Sequence, residues 1–154
     1  MIKTLLGTEL DKYNNPVTIS YVDSIGYSPI VPMYMKNFAK LVEQGYASAH
    51  ILTGVNDQCK AIIAEEDEDL VGCMLFILKH EIPIITAWIY FTHVEERVRG
   101  RNIYKLMYNH LLKKVPEFGV TAVSSLVHID HTSMIKACDS TDRKAKYLYM
   151  ETQL

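Results

Sequence analysis

The chain has 154 residues, of which 49% are hydrophobic and 22% are charged, and its formal net charge is −2. This composition is typical of one soluble globular domain and excludes a disordered or fibrous chain. The slight negative charge argues against general affinity for nucleic acids or membrane surfaces, and no apolar run reaches the roughly 20 residues of a membrane span.

Hydrophobic periodicity gives the order of the secondary-structure elements. The first helix has clear boundary signals, because Ser28 supplies a capping hydroxyl, Pro29 fits the first helical position and Gly45 follows the last turn. In chain order we predict a strand at 16–22, a helix from Pro29 to Gly45, a loop at 46–58, strands at 60–64 and 70–78, a central strand at 84–92, a helix at 103–114, a strand at 120–127, a helix at 132–138 and a final strand at 146–150, with residues 1–15 unassigned.

The links between these elements predict how the strands pair. The short acidic link at 65–69 favours an antiparallel hairpin with a solvated turn, although a site for basic substrates is an alternative. The strand, helix and strand within residues 84–127 predict a parallel pair joined by a right-handed crossover. We therefore expect one α/β (α+β) domain over residues 1–154, with a mixed, mostly antiparallel sheet and flanking helices.

The three cysteines, Cys59, Cys73 and Cys138, are widely spaced and form no Cys-x-x-Cys pair. They are typical of free thiols in a reducing compartment. The apolar stretch at residues 1–7 is too short for a secretory signal. We therefore expect a cytoplasmic protein.

A basic loop follows the central strand and carries arginines at alternate positions, Arg97, Arg99 and Arg101, around Gly100. The next helix begins near Ile103. Unpaired amides at a helix start, together with the positive end of the helix dipole, form a site for anions. The loop is therefore predicted to bind a phosphate group, with a merely solvated loop as the alternative.

This order of elements with a basic loop resembles the GNAT superfamily of acyl-CoA-dependent N-acyltransferases over residues 17–154. The family motif is Arg/Gln-x-x-Gly-x-Gly/Ala. A register that starts at Arg97 keeps Gly100 as the first motif glycine but puts Arg101 where the family buries an aliphatic residue. We prefer the register that starts at Arg99, which also aligns Val94.

In the preferred register Ile103 aligns as well, while Asn102 and Tyr104 replace the two motif glycines. Because asparagine tolerates a left-handed backbone better than most residues, we expect Asn102 to adopt one.

The resemblance implies that acetyl-CoA is the cosubstrate. Backbone amides from Arg99 to Tyr104 would hold the pyrophosphate, and the end of the central strand would pair with the pantetheine arm in the gap between the splayed parallel strands. Side chains of Arg99, Arg101 and Lys105 would neutralise phosphate charge. The implied cosubstrate-binding residues are Thr92, His93, Val94, Arg99, Gly100, Arg101, Asn102, Ile103, Tyr104 and His131.

A second family marker, Asn-x-x-Ala followed by a tyrosine and then Gly-Phe, is only partly present. The corresponding positions hold His131, Met134, Cys138 and Asp142-Arg143. In many relatives the tyrosine protonates the leaving thiolate. By position Cys138 would take this role, and a packed core thiol is the alternative.

Acyl transfer to an amine also needs a group that removes a proton. A lysine-like amine with a pKa near 10.4 is roughly one part in a thousand neutral at pH 7.4, and a positioned base typically contributes about 10²–10⁴ in rate. His128 follows the strand that ends at the predicted cleft, close to Asp130 and His131. We predict His128 as the base, with an ordinary surface or core histidine as the alternative and His93 and Glu81 in reserve.

The sequence therefore predicts an N-acetyltransferase that moves an acetyl group directly from acetyl-CoA to a primary amine in a ternary complex. No metal is expected, because His128 and His131 lack a third suitably spaced ligand. The alternatives are a non-catalytic GNAT-fold module that binds CoA or a partner protein, and a nucleic-acid-contacting domain that the net charge disfavours. The amine acceptor, a small molecule or a protein, is not identified by the sequence, which also leaves a homodimer open.

Overall fold

The computed structural model describes residues 1–47 and 55–152. Within them the chain forms β1 (Lys3–Leu10), β2 (Pro16–Val22), α1 (Ile30–Glu43), β3 (Lys60–Glu66), β4 (Asp69–Glu81), β5 (Ile84–Val94), a 3₁₀ turn (Glu96–Val98), α2 (Ile103–Lys114), a second 3₁₀ turn (Val115–Phe118), β6 (Ala122–Ser125) and α3 (Thr132–Asp139). The strands make one sheet in sequence order. Neighbouring strands are antiparallel except β5 and β6, which are parallel. This confirms the predicted fold class and the predicted parallel pair.

The sheet is covered by helices on its two faces. Adjacent residues of a strand point to opposite faces, so Ile62 packs in the core beneath α2 while Ile63 packs in the core beneath α1. Both side chains are completely buried. On the α1 face, Tyr34 meets Phe91 of β5 edge to face, with ring centroids 5.1 Å apart. The continuous apolar runs of the central strands are explained by this double burial.

Strand β1 lies within residues 1–15, which the sequence analysis leaves unassigned. It is an edge strand whose Leu5 and Leu10 are 65% and 60% exposed. Its pairing with β2 shifts register between Leu5 and Gly7, which breaks the alternation of side chains. An exposed edge strand with a bulge has little of the periodicity that marks a half-buried strand, and for this reason it was missed.

The boundaries of α1 follow the sequence signals only in part. The expected cap is wrong, because the Ser28 hydroxyl makes no capping hydrogen bond and Pro29 occupies the N-cap position. The C-terminus is as predicted, since Gly45 has a φ of 76° and its N–H donates to the Val42 carbonyl at 3.0 Å. Of the loop predicted at 46–58, residues 48–54 lie outside the described residues.

The predicted final strand at 146–150 is wrong. These residues form no regular secondary structure, and Tyr147 and Leu148 are 95% and 80% exposed. A strand needs backbone partners, and the neighbouring edge strand β6 offers only the four residues Ala122–Ser125, fewer than the predicted 120–127.

Candidate active site

The two parallel strands separate within the sheet. Strand β6 ends where Ser125 pairs with Ile89, while β5 continues to Val94. The last five residues of β5 therefore have no partner on the β6 side within the described sheet. This separation confirms the predicted splayed parallel pair.

A β-bulge marks the point of separation. On the other side of β5, Leu75 pairs with Phe91 and Phe76 pairs with Ile89, so that Tyr90 is the extra residue. A bulge bends its strand and increases the local twist. The bend at Tyr90 therefore turns the end of β5 away from β6 and opens the sheet.

A cleft of about 2460 Å³ occupies the opening. Its size exceeds the roughly 300–1,000 Å³ of ordinary small-molecule pockets, which suits a long ligand together with a second substrate. The cleft brings together all but one of the residues predicted for cosubstrate binding or catalysis, namely Thr92, His93, Val94, Arg99, Gly100, Asn102, Ile103, Tyr104, His128, His131 and Cys138.

The loop between β5 and α2 contains two left-handed residues. Gly100 has a φ of 76°, and Asn102 has φ 67° and ψ 11°, which confirms the conformation expected for Asn102. α2 begins at the next residue, Ile103, with no side-chain cap and no acidic residue in its first turn. The first amides of α2 are thus free of a competing anionic side chain and suit a phosphate.

The backbone also distinguishes the two possible motif registers. The left-handed positions are 100 and 102, whereas Tyr104 lies inside α2 and has no positive φ. The Gly-x-Gly spacing is therefore met by Gly100 and Asn102, which favours the register that starts at Arg97 over the one that starts at Arg99.

Arg101 is the predicted site residue that does not line the cleft. Its guanidinium pairs with the carboxylates of Asp11 and Glu66, and its side chain is 15% exposed. In addition, the Lys12 backbone N–H donates to the Arg101 carbonyl at 3.1 Å. The predicted phosphate contact of the Arg101 side chain is therefore wrong, and this side chain instead braces the loop against the β1–β2 turn.

The surroundings of Asp11 and Glu66, which hold the Arg101 side chain, favour the charged forms of both carboxylates. Burial on its own would raise the pKa of Asp11, but hydrogen bonds from the Asn15 backbone and the Arg101 side chain, among others, lower it to about 2. The pKa of Glu66 is lowered chiefly by its hydrogen bond with Arg101. Both carboxylates stay ionised at neutral pH and hold the loop in place.

Arg99 and His93 lie together at the end of β5. The Arg99 Nε donates to the Val94 carbonyl at 2.9 Å. The His93 side chain is 10% exposed, and its Nε2 lies 3.5 Å from a Glu95 carboxylate oxygen. Burial lowers the pKa of His93, and although Glu95 opposes this effect, the positive charge of Arg99 adds to it. His93 is therefore held in its neutral form beside a cation.

The loop before α3 carries the other two histidines of the cleft. The ring of His131 stacks on Tyr46, with centroids 4.5 Å apart and planes within 4°. This stack joins the end of α1 to the start of α3, and no pattern in the sequence predicts it. Burial lowers the pKa of His131, and the nearby His128 adds to the effect. His128 itself is 38% exposed, and its Nδ1 accepts a hydrogen bond from the Asp130 N–H at 3.1 Å.

Cys138 is close to a residue that the predicted site did not include, because its carbonyl accepts a hydrogen bond from the Arg143 N–H at 3.2 Å. Burial raises the pKa of the Cys138 thiol, which makes it a weaker proton donor. Arg143 donates from Nη1 to the Ser125 hydroxyl at 3.0 Å, and its guanidinium lies 4.5 Å from the centre of the Tyr108 ring. The preceding residue, Asp142, has a φ of 58° at the position of the family's glycine.

The family model for the acetyltransferase (GNAT) family matches residues 29–139. The chain belongs to this family. No curated protein matches it by sequence. Its fold is similar to an aminoglycoside acetyltransferase from an uncultured soil metagenomic sample, with 16% identity, a TM-score of 0.68 and coverage of 90% of this chain and 96% of the other.

Two further solved structures share the fold of this GNAT domain. A ribosomal-protein-alanine N-acetyltransferase from Brucella melitensis biovar Abortus 2308 has 17% identity and a TM-score of 0.63, with coverage of 90% of this chain and 99% of the other. An aminoglycoside N-acetyltransferase in complex with CoA has 13% identity and a TM-score of 0.60, with coverage of 88% and 99%. At these identities the likeness establishes the fold.

Neither a membrane helix nor a metal cluster is found in the described part of the chain. No helix there is long and apolar enough to cross a membrane. The same residues contain no group of three or more histidine, cysteine or acidic side chains placed to hold a metal ion.

Proposed function

We propose that this GNAT protein is an acetyl-CoA-dependent N-acetyltransferase that transfers the acetyl group directly to a primary amine in a ternary complex. The observation that carries the proposal is the meeting of two features in one cleft. The unpaired end of β5 offers a backbone edge, and the uncapped start of α2 offers amides for a phosphate. An extended ligand with amide groups and a pyrophosphate needs both.

In the proposed complex, the pyrophosphate lies on the amides of residues 99–104 with Arg99 and Lys105 nearby, and His131 lies across the cleft. The pantetheine arm runs along Thr92–Val94 and pairs with the backbone as an added strand would. The thioester then reaches the bulge at Tyr90, where the strands separate. In this position the cosubstrate leaves the opposite side of the cleft open to the amine.

We assign the removal of the amine proton to His128, the predicted base. Its Nδ1 accepts from the Asp130 N–H, so the neutral ring carries its proton on Nε2. His128 can therefore accept a proton only when Nδ1 leaves that amide. His93, which burial keeps neutral, is the alternative base, and variants of the two residues distinguish them.

A thiol-release screen tests this function. Acetyl-CoA is incubated with the protein and a panel of small amines, and candidate protein acceptors are followed by intact mass spectrometry. The proposal requires release of CoA that depends on an amine, with a gain of one acetyl group on that amine. Transfer through an acetylated enzyme would contradict the direct mechanism, and mass spectrometry of the protein without an amine detects it.

A non-catalytic CoA-binding or protein-interaction module is the second candidate. It is favoured by Cys138, a thiol with a raised pKa where many relatives have an acid. In this case calorimetry detects CoA binding while no amine in the panel is acetylated. The same two measurements therefore separate the two functions.

A further inference from the structure

Arg143 is a half-buried cation without a counter-ion in the described part of the chain. Burial alone lowers its pKa, to about 10, and no acidic group contributes to the shift. Of its two terminal nitrogens, Nη1 donates to the Ser125 hydroxyl, while Nη2 is buried and has no hydrogen-bond partner among the described residues. A desolvated, unpaired charge destabilises a protein unless it serves a ligand of opposite charge.

The guanidinium is held in one place by its neighbours. It lies over the ring of Tyr108, which is 3% exposed, and 5.7 Å from the centre of the Tyr104 ring. Such cation–π contacts position a guanidinium without neutralising it. The Tyr104 hydroxyl is likewise buried with no partner among the described residues. Two unsatisfied polar groups thus lie close together, one on α2 and one on the segment that follows α3.

The position of Arg143 relative to the strands indicates which atom of the ligand it meets. Its partner Ser125 is the residue of β6 opposite Ile89, the last pair before the strands separate, and the bulge at Tyr90 comes next. A pantetheine arm that starts at the phosphate loop and follows β5 brings its sulfur to this point. About four residues of strand, or roughly 13 Å, separate Tyr90 from Val94.

We propose that Arg143 stabilises the thiolate of CoA as it leaves, in place of the proton donor that Cys138 supplies poorly. This inference rests on the proposed function. The amine nitrogen attacks the thioester carbon, the C–N bond forms, and the C–S bond breaks with its electron pair on sulfur. The amine proton goes to the base, and the sulfur leaves as a thiolate paired with the guanidinium. Arg143 keeps its protons throughout, and the thiolate takes up a proton from water after release.

A cation beside the sulfur favours the thiolate form of bound CoA. A cysteine thiol has a pKa of about 8.5, the thiol of CoA is a weaker acid, and a charge of opposite sign within a few ångströms lowers a thiol pKa by about 1–3 units. The other titratable groups near Arg143 that line the cleft include Tyr104 and Tyr108 of α2, Cys138 and Asp139 of α3, and Asp142 and Lys144 on either side of Arg143. These groups are present whether or not the ligand carries sulfur, so comparison of CoA with desulfo-CoA isolates the thiol.

The experiment is calorimetry of CoA and desulfo-CoA binding between about pH 6.5 and about pH 9. In the wild-type protein, we expect the affinity ratio of CoA to desulfo-CoA to rise by about tenfold over this range, because one unit of thiol pKa corresponds to a factor of ten. In the Arg143→Gln variant, the affinity ratio of CoA to desulfo-CoA should not change with pH. The affinity of this variant for desulfo-CoA should equal that of the wild-type protein. Arg143→Lys should keep part of the rise.

Two further variants complete the test. Lys3→Gln removes a surface cation that pairs with Glu65 outside the cleft, and it should leave the ratio unchanged. Ser125→Ala removes the hydrogen bond that positions Arg143 and should reduce the rise, which tests the same contact if Arg143→Gln does not bind desulfo-CoA.

A flat ratio in the wild-type protein, or an equal rise in Arg143→Gln, would overturn the assignment even if the protein acetylates amines. Failure of both ligands to bind would instead overturn the proposed function, and this inference with it.

Discussion

The two walls of the cleft are built in different ways. We call the phosphate loop with helix α2 (residues 99–114) the α2 wall, and the segment from His128 to Arg143 with helix α3 the α3 wall. The α2 wall is anchored in the core, because Ile103, Met107 and Leu111 are at most 1% exposed. The α3 wall has no buried residue. It is held by contacts across the cleft, including the stack of His131 on Tyr46 and the packing of Arg143 on α2.

This difference separates two tasks. The wall proposed to bind the phosphates is fixed by close packing before any ligand arrives, so binding need not order it. The wall proposed to hold the catalytic groups lies on the surface and can adjust to different amines. Changes in the α2 wall should therefore affect affinity and stability, whereas changes in the α3 wall should affect turnover.

His128→Ala is the sharpest test of the α3 wall. We expect turnover to fall by about 10²-fold, because a positioned base is lost, with acetyl-CoA affinity nearly unchanged. The turnover of the wild-type protein and of His128→Ala is compared over a range of pH. His80→Ala, at an exposed position on β4, is the matched control. Full activity of His128→Ala across the pH range would exclude this base, and loss of activity in His93→Ala instead would transfer the role to His93.

Gly100→Val tests the α2 wall. No heavy atom beyond the two chain neighbours lies within 4 Å of a Cβ added at Gly100, so the cost comes mainly from its φ of 76° and is about 1–2 kcal/mol. If the loop relieves this strain by leaving its left-handed conformation, CoA affinity falls by about tenfold.

Gly119→Val is the control for Gly100→Val, because Gly119 has a φ of 74° outside the cleft. It should lose similar stability with no change in affinity. Equal affinity in the two variants, measured by calorimetry, would show that the loop does not bind the cosubstrate.

The sequence predicted the α2 wall better than the α3 wall for a physical reason. The strand, the glycine of the loop and the helix that make the α2 wall are consecutive in the chain, so their signals lie within residues 84–114. The left-handed Asn102 was predicted because, in the resemblance to the family motif, it stands at the place of a glycine. By contrast, the neighbours of Arg143 come from separate elements, and its hydrogen bond to Ser125 spans 18 positions.

Long-range pairing also explains the two main errors. Arg101 was predicted to face phosphate, but its partner Asp11 lies 90 positions away in a turn that the sequence left unassigned. The segment at 146–150 is rich in aromatic and apolar residues, as strands are, but composition does not supply a neighbour to pair with. Local pattern predicts the conformation that a segment prefers, whereas its partners depend on the rest of the fold.

Asn102 gives a smaller and more local test of the α2 wall. Asn102→Gly should change the free energy of unfolding by no more than about 0.5 kcal/mol and preserve CoA binding, because glycine adopts the same conformation freely. Asn102→Val should lose about 1–2 kcal/mol, because a β-branched residue is strained at positive φ. Equal stability of the two variants in urea denaturation would contradict the left-handed geometry.

The smallest expected effect concerns the brace behind the α2 wall and appears only in acid. The pKa of Asp11 is about 2 in the folded protein, against an ordinary value of 3.8. Because the folded pKa is the lower one, the charged carboxylate stabilises the fold above about pH 4, and this contribution is lost as the pH falls from about 4 to about 2. Asp11→Asn removes the titrating group, so the free energy of unfolding should depend less steeply on pH in this window. The slope should decrease by an amount that corresponds to the uptake of at most one proton on unfolding.

Denaturant titrations of the wild-type protein and Asp11→Asn at a series of acidic pH values measure that slope, with Asp57→Asn as a control at an exposed carboxylate outside the brace. Identical slopes for the wild type and Asp11→Asn would mean that Asp11 does not hold the loop through its charge. The position of Arg101 would then follow from Glu66 and from the Lys12 backbone bond.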